Sequence, residues 1–273
     1  LALKINGVGV ILNIILDPVC IYVLNFGVIG AGVSTLIANV IMFILFRINT
    51  NGILNYRYDL KVDFEKIKEI IRLGFPMAFQ RILFTIINII LAKIIAMFGS
   101  EAIAAQKIGV QIESIAYMII GGLNGAVASF TGQNFGAGKS NRIKEGYRSA
   151  LVVGISYAIV MAGVFLLLNR PLIRLFISDE STILIASAYL KAVAFSQVFS
   201  AIEMISNGMF TGIGKPNIPA TISIVFTSLR IPLALVLIKP FGISGIWISI
   251  CISSILKGIC SYFIYETKIR KIL

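Results

Sequence analysis

Phe26-Gly27-Val28-Ile29-Gly30-Ala31-Gly32-Val33-Ser34 returns in looser form as Phe241-Gly242-Ile243-Ser244-Gly245-Ile246-Trp247-Ile248-Ser249. Each copy is a short turn between two long apolar runs, and the copies stand 215 residues apart (241 − 26). Such a repeat along an apolar chain is the mark of a membrane protein built from two copies of a multi-helix unit. The first copy starts at residue 26 and the chain opens on Leu1, not Met. The expectation is therefore a C-terminal portion of a longer protein, preceded by about four helices, or roughly 170 residues.

Working outward from the two turns, the composition points the same way. Apolar residues make up 58% of the 273 residues and charged residues 13%. A soluble domain carries about a quarter charged residues, so lipid is the expected solvent for most of this surface. The net charge of +12 lies mainly in short connections, which argues against a nucleic-acid partner. The chain has no His, and Cys20, Cys251 and Cys260 all fall inside apolar runs. They read as small core residues, not as a disulfide or metal set. Residues 1–25 are not a signal peptide, because Asn13, Asp17 and Pro18 interrupt the apolar stretch.

Eight runs reach the ~20 residues needed to cross the hydrocarbon layer: 4–24, 29–47, 73–97, 101–130, 147–168, 182–210, 218–238 and 243–265. The fold class is an all-α integral membrane protein, a polytopic bundle of eight transmembrane helices. The domains read as 1–47, the last two helices of an N-lobe; 48–72, a cytoplasmic connection; 73–267, a complete six-helix C-lobe; and 268–273, a basic cytoplasmic tail. Within the connection, Phe64, Ile67 and Ile71 have helical spacing and suggest a short helix on the membrane surface.

Lys and Arg in the connections set the orientation. One side holds Lys4, Arg47, Arg57, Lys61, Lys66, Lys68, Arg72, Lys139, Arg142, Lys144, Arg148, Lys215, Lys268, Arg270 and Lys271, fifteen in all. The other holds Arg170, Arg174 and Lys239. Both chain ends are then cytoplasmic, and the expected location is the cell (inner or plasma) membrane.

Three acids fall within spans: Asp17, Glu113 and Glu203. A carboxylate in a membrane helix costs a few kcal/mol and normally faces a wet cavity or a partner. Gln106, Glu113, Tyr117 and Asn124 share one helical face, as do Ser196, Ser200, Glu203 and Asn207. Arg81, Thr85 and Asn88 mark a third polar stripe with Gln80 beside it, and Thr227 and Arg230 a fourth. Turned toward one another around a hydrated pocket, such stripes offer oxygen ligands suited to Na⁺ or a proton. A candidate Na⁺ site lies near Glu203 and Glu113. The bland alternative is interhelical hydrogen bonding by Ser, Thr, Asn and Gln, or an ion pair of Glu113 with Arg230 or Arg81. Arg230 is too deep to snorkel and calls for a carboxylate partner. Lys257 reads as snorkelling to the inner interface, with Lys93 and Lys107 doing so on the outer side. Asp17-Pro18 reads equally as a hinge or ion site and as a packing kink. Gly121, Gly122, Gly125 and Gly132 are expected to let their helix pack closely.

Leu12-Asn13-Ile14-Ile15-Leu16-Asp17-Pro18, followed by Gly27-Val28-Ile29-Gly30-Ala31-Gly32, resembles the fifth and sixth helices of the multidrug and toxic compound extrusion (MATE) family. Ala104-Ala105-Gln106, Ile112-Glu113-Ser114 and Gly132-Gln133-Asn134-Phe135-Gly136-Ala137-Gly138 are similar to its eighth helix and the loop after it. Gly212-Ile213-Gly214-Lys215-Pro216, Leu229-Arg230-Ile231-Pro232 and Gly242-Ile243-Ser244-Gly245-Ile246-Trp247 resemble the end of the tenth helix and parts of the eleventh and twelfth. The resemblance implies a secondary antiporter of twelve helices in two lobes. It would export cationic or amphipathic compounds in exchange for Na⁺ or H⁺, without a cofactor or enzymatic chemistry, as a monomer when full length. The family's second-lobe cation site uses acids on its seventh and tenth helices. Here Gln80 and Arg81 stand in the first region, and Ser200 stands at the second acid position with Glu203 one turn on. The candidate coupling and substrate residues are Glu113, Glu203, Asp17, Gln80, Asn88, Tyr117, Ser200, Asn207 and Arg230. A lipid-linked oligosaccharide flippase of related architecture is the alternative; it would need a basic central cavity, to which Arg81 and Arg230 could contribute.

Overall fold

The computed structural model describes residues 1–49 and 63–273. The expected connection is covered only in part, and Arg57 and Lys61 lie outside the described residues. The chain divides into two compact units, Leu1–Asp63 and Phe64–Leu273.

The first unit holds α1 (Ala2–Pro18) and α2 (Gly27–Asn49), packed against each other. Pro18 lacks the N–H that would continue the helical ladder. Past it the winding loosens into a π-turn, Val19–Val23. The second unit opens on α3 (Phe64–Ala96) and α4 (Ser100–Gly136), followed by α5 (Ser140–Leu167), the short α6 (Asn169–Arg174) and α7 (Glu180–Gly212). It continues with α8 (Asn217–Ser228), α9 (Arg230–Phe241) and α10 (Ser244–Ile264), and ends in a π-turn (Tyr265–Ile269) and α11 (Arg270–Ile272). Among the described residues, eight helical runs are long and apolar enough to span a membrane. The expected eight-span all-α bundle is thus observed.

Two boundaries differ from expectation. Residues 64–72 are helical but not a separate surface helix, since they run without a break into α3. The seventh span is interrupted at Leu229. Pro232 explains the break, because its ring meets the carbonyl four residues back, at Ser228.

The repeated turn is one structural device used twice. Gly27 has φ +53° and Gly242 φ +55°, both in the left-handed region that favours glycine. Three residues later, Gly30 lies against the Cys20 backbone, and Gly245 against the Leu237 backbone. A Cβ at either place would strike main chain. The first glycine reverses the chain, and the second lets the new helix lie on the segment it has just left.

Helix α7 is the axis of the second unit. It packs against α4, α5, α6 and α10, while α8 packs on α3 and α9 on α10. Its fully buried residues include Ile183, Leu190, Ile205, Met209 and Phe210. Glycines on α7 and α10, not those expected on α4, set the closest approaches. Gly208 and Gly212 of α7 meet the Asn124 and Ala128 carbonyls of α4, and Gly258 of α10 meets the Phe199 backbone of α7. Gly122 and Gly125 face open space.

The start of α7 is pinned by Asp179. Its carboxylate accepts from the Thr182 backbone N–H at 2.8 Å and from the Thr182 and Ser181 hydroxyls at 2.7 and 2.5 Å. These donors stabilise the charged form and hold the acid down, from 3.8 to about 2. A depressed acid contributes stability above its unfolded value that disappears as pH falls through its folded one. Asp179→Ala should therefore lower the melting temperature at neutral pH and make no difference well below pH 2. Melting curves at the two pH values test this.

Candidate functional site

Glu113 of α4 and Glu203 of α7 are each 9% exposed, and both are enclosed within the second unit. Glu113 accepts a hydrogen bond from the Tyr189 hydroxyl of α7. Tyr189 is held on two sides. Its ring meets Trp247 of α10 edge-on, with centroids 5.1 Å apart and planes at 90°. Gly109 of α4, one turn before Glu113, leaves room for the same ring. Tyr117, one turn after Glu113, stands beside it and donates to Ser200 Oγ of α7 at 3.3 Å. Two turns further on, Asn124 Nδ2 donates to the Met204 carbonyl at 2.5 Å. The expected polar stripes of α4 and α7 do face one another.

Glu203 has a partner that the sequence reading placed elsewhere. Lys257 of α10 is 7% exposed, not snorkelling, and its Nζ lies 3.4 Å from Glu203 Oε2. The Gly258 contact with Phe199 explains the geometry, because it brings α10 against α7 one turn before Glu203.

Arg230, 7% exposed at the start of α9, lacks the acid expected for it among the described ion pairs. Its Nε donates to Ser253 Oγ at 3.1 Å and Nη2 to Ser254 Oγ at 3.3 Å. Ser253 in turn donates to the Phe226 carbonyl at 2.7 Å. Arg230 and Lys257 both lie within electrostatic reach of Glu113. The buried cluster therefore sets two acids beside two bases. One acid is paired directly, and the other accepts from the Tyr189 phenol.

The remaining candidates of the second unit make no hydrogen bond or ion pair with this cluster among the described contacts. Gln80 and Asn88 of α3 are half-buried and Arg81 is exposed, so Arg81 forms no buried pair with Glu113. Asn207 is half-buried, and its Oδ1 has no hydrogen-bond partner. In the first unit, half-buried Asp17 accepts from the Ser34 hydroxyl, and Asn13 Nδ2 donates to Thr35 Oγ1 at 3.3 Å. Among the described residues, no group of three His, Cys, Asp or Glu side chains gathers as a metal site. Sequence reasoning missed Tyr189, Lys257, Ser253 and Ser254. A signal for the first was present: Tyr189 lies seven residues before Ser196, on the stripe that carries Glu203. Lys257 likewise continues the four-residue spacing of Ser249 and Ser253, with Ser261 after it.

The MatE family profile matches residues 76–236. The chain is 29% identical over 272 residues to a probable multidrug resistance protein NorM of Thermotoga maritima, covering 93% of this chain and 57% of that protein. It is 27% identical over 258 residues to the multidrug export protein MepA of Staphylococcus aureus, with the same two coverages. It thus spans a little over half the length of these relatives. Among solved structures, the MATE transporter VcmN of Vibrio cholerae in its bent form superposes with TM-score 0.87 at 22% identity, over 98% of this chain and 62% of that one. A MOP superfamily transporter of Pyrococcus furiosus gives TM-score 0.86 at 24% identity, over 96% and 61%. With more than half of its residues matched by the family profile and eight membrane-length helices in the fold of these transporters, the chain is a multi-pass membrane protein that belongs to the MatE family.

Proposed function

We propose that this chain forms the last eight helices of an exporter of cationic or amphipathic compounds, driven by exchange with Na⁺ or H⁺ across the cell membrane. Both chain ends face the cytoplasm in this reading, and the full-length protein works as a monomer. The observation that carries it is the burial of Glu113 and Glu203 at facing positions of α4 and α7. Two carboxylates held off the lipid-facing surface are a costly arrangement that a structural bundle does not need. The names of the relatives, multidrug resistance and multidrug export proteins, support the same cargo class.

Mechanistically, an acid that binds either a coupling cation or a cationic cargo, but not both, links the two fluxes. Glu113 suits this role, because its hydrogen-bond partner is the neutral Tyr189 hydroxyl and no cation pairs with it among the described ion pairs. Rocking of the lobes would then expose Glu113 to each side in turn. The flippase alternative calls for a basic cavity. Here Arg81 is exposed, and Arg230 and Lys257 are balanced by two acids.

Glu113→Gln keeps the side-chain shape and removes its charge. In the full-length protein it should cut export of a cationic dye by at least about tenfold, roughly the loss of one charge-assisted contact. Folding, judged by detergent extraction and melting temperature, should be retained. Full export with unchanged ion dependence in both Glu113→Gln and Glu203→Gln would refute the proposal.

A further inference from the structure

Beside Glu203 stands a cation supplied by the protein itself. The Lys257 ammonium lies 3.4 Å from Glu203 Oε2, and both side chains are almost wholly enclosed. Its place is fixed by the backbone, since Gly258 holds α10 against Phe199 of α7. At 8% side-chain exposure the amine is withdrawn from solvent, unlike a surface lysine. A second fixed cation, Arg230, is close enough to act on Lys257 and is itself anchored to Ser253 and Ser254. Lys257 from α10 thus contacts Glu203 directly, Tyr117 from α4 lies within reach of the same carboxylate, and Arg230 from α9 and Glu113 from α4 lie near Lys257.

We propose that Lys257 is the resident cation of Glu203 and a specificity-determining residue that excludes Na⁺ from this carboxylate. An ammonium and Na⁺ carry the same charge and seek the same oxygens. In a site of low polarity, two such cations beside one carboxylate repel strongly. Na⁺ could enter only where the amine leaves, and a buried ammonium parted from its carboxylate incurs its full desolvation cost. Glu113, which no ammonium or guanidinium contacts among the described ion pairs, is then the acid of this cluster open to an exchanging cation. The inference rests on the exporter reading and narrows it, because it says which of the two acids a mobile ion can reach.

The test is thermal unfolding of the purified full-length protein in Na⁺ against K⁺ at equal ionic strength. Wild type should show no Na⁺-specific shift that depends on Glu203. Lys257→Met leaves Glu203 without its cation and should gain a Na⁺-specific rise in Tm of about 2–4 °C. The double variant Glu203→Gln/Lys257→Met should lose that gain. Should Lys257→Met fold only when Na⁺ is present, the proposal stands. It is overturned by a wild-type Na⁺ shift that the double variant abolishes, or by a folded Lys257→Met that ignores Na⁺. It is equally overturned if Lys257→Met and Lys257→Gln both fail to fold in either salt, since Na⁺ then cannot take the ammonium's place. Dye export separates this from the larger reading. If Glu113→Gln abolishes export while Lys257→Met gains no Na⁺ response, only the role of Lys257 falls.

Discussion

Glu203→Ala should lower the stability of the protein by about 3–5 kcal/mol, because it leaves a buried ammonium without its counter-charge. The Lys257 and Glu203 side chains are 8% and 11% exposed, so water cannot replace the missing partner. The exposed pair Arg174–Glu180 provides the contrast. It is shorter, at 2.5 Å, but its side chains are 56% and 66% exposed. Solvent already screens it, and Glu180→Ala should cost at most about 1 kcal/mol. Burial, not distance, decides which ion pair matters. Removing both charges together with Glu203→Gln/Lys257→Met should recover most of the loss, since a neutral pair of similar volume strands nothing. Melting temperatures of the four proteins in one detergent decide the matter. Equal losses in Glu203→Ala and Glu180→Ala would mean that the buried pair is hydrated.

The double variant also makes the export assay interpretable. Glu203→Gln alone combines two effects, a lost acid and an unpaired lysine, so reduced export from it says little about coupling. Glu113→Gln strands no cation in direct contact. Its neutral amide can still accept from Tyr189, whose ring Trp247 and Gly109 hold in place.

Sequence alone gave a good account of the spans because the membrane makes the problem nearly one-dimensional. A run must be apolar for ~20 residues, and any longer polar break shows. The α4 and α7 stripes were legible for a similar reason: Glu113 and Tyr117 are four apart, and Ser200 and Glu203 three. Which helices touch was not legible, and the errors follow from that. The apolar run alone places Lys257 near a helix end, but the helical run continues to Ile272, which sets it fifteen residues inside (272 − 257). Snorkelling fails at that depth, and a buried acid takes its place. Arg230 points to a carboxylate partner because a lone buried guanidinium needs acceptors. Two serines of α10 supply them, and hydroxyl acceptors carry no charge signal in a sequence. The glycines of α4 misled in the same way. Their number was visible, but the face they present was not.

Gly208→Val tests the seam that positions the acids. Gly208 and Gly212 are four residues apart on α7, a small-residue pair of the kind that brings membrane helices into contact. A Cβ on Gly208 would collide with the Asn124 carbonyl oxygen and come within 3.2 and 3.3 Å of the Asn124 carbonyl carbon and Cα. These are main-chain atoms inside the 37-residue helix α4, so no side-chain rotation relieves the clash. The helices must part. Asn124 would then lose its 2.5 Å hydrogen bond to Met204, and Tyr117 its 3.3 Å bond to Ser200, two turns nearer the acids. Overpacking costs about 1–3 kcal/mol where side chains can give way. Against backbone the loss should exceed about 3 kcal/mol, a large share of a typical total stability, and should lower both folded yield and melting temperature. Gly122→Val is the matched control, the same change in α4 with nothing within 4 Å of its Cβ. It should leave yield and melting temperature close to wild type. A Gly208→Val protein that extracts and melts like the control would show that α4 and α7 do not meet along this line, and the placement of Glu113 opposite Tyr189 would fall with it.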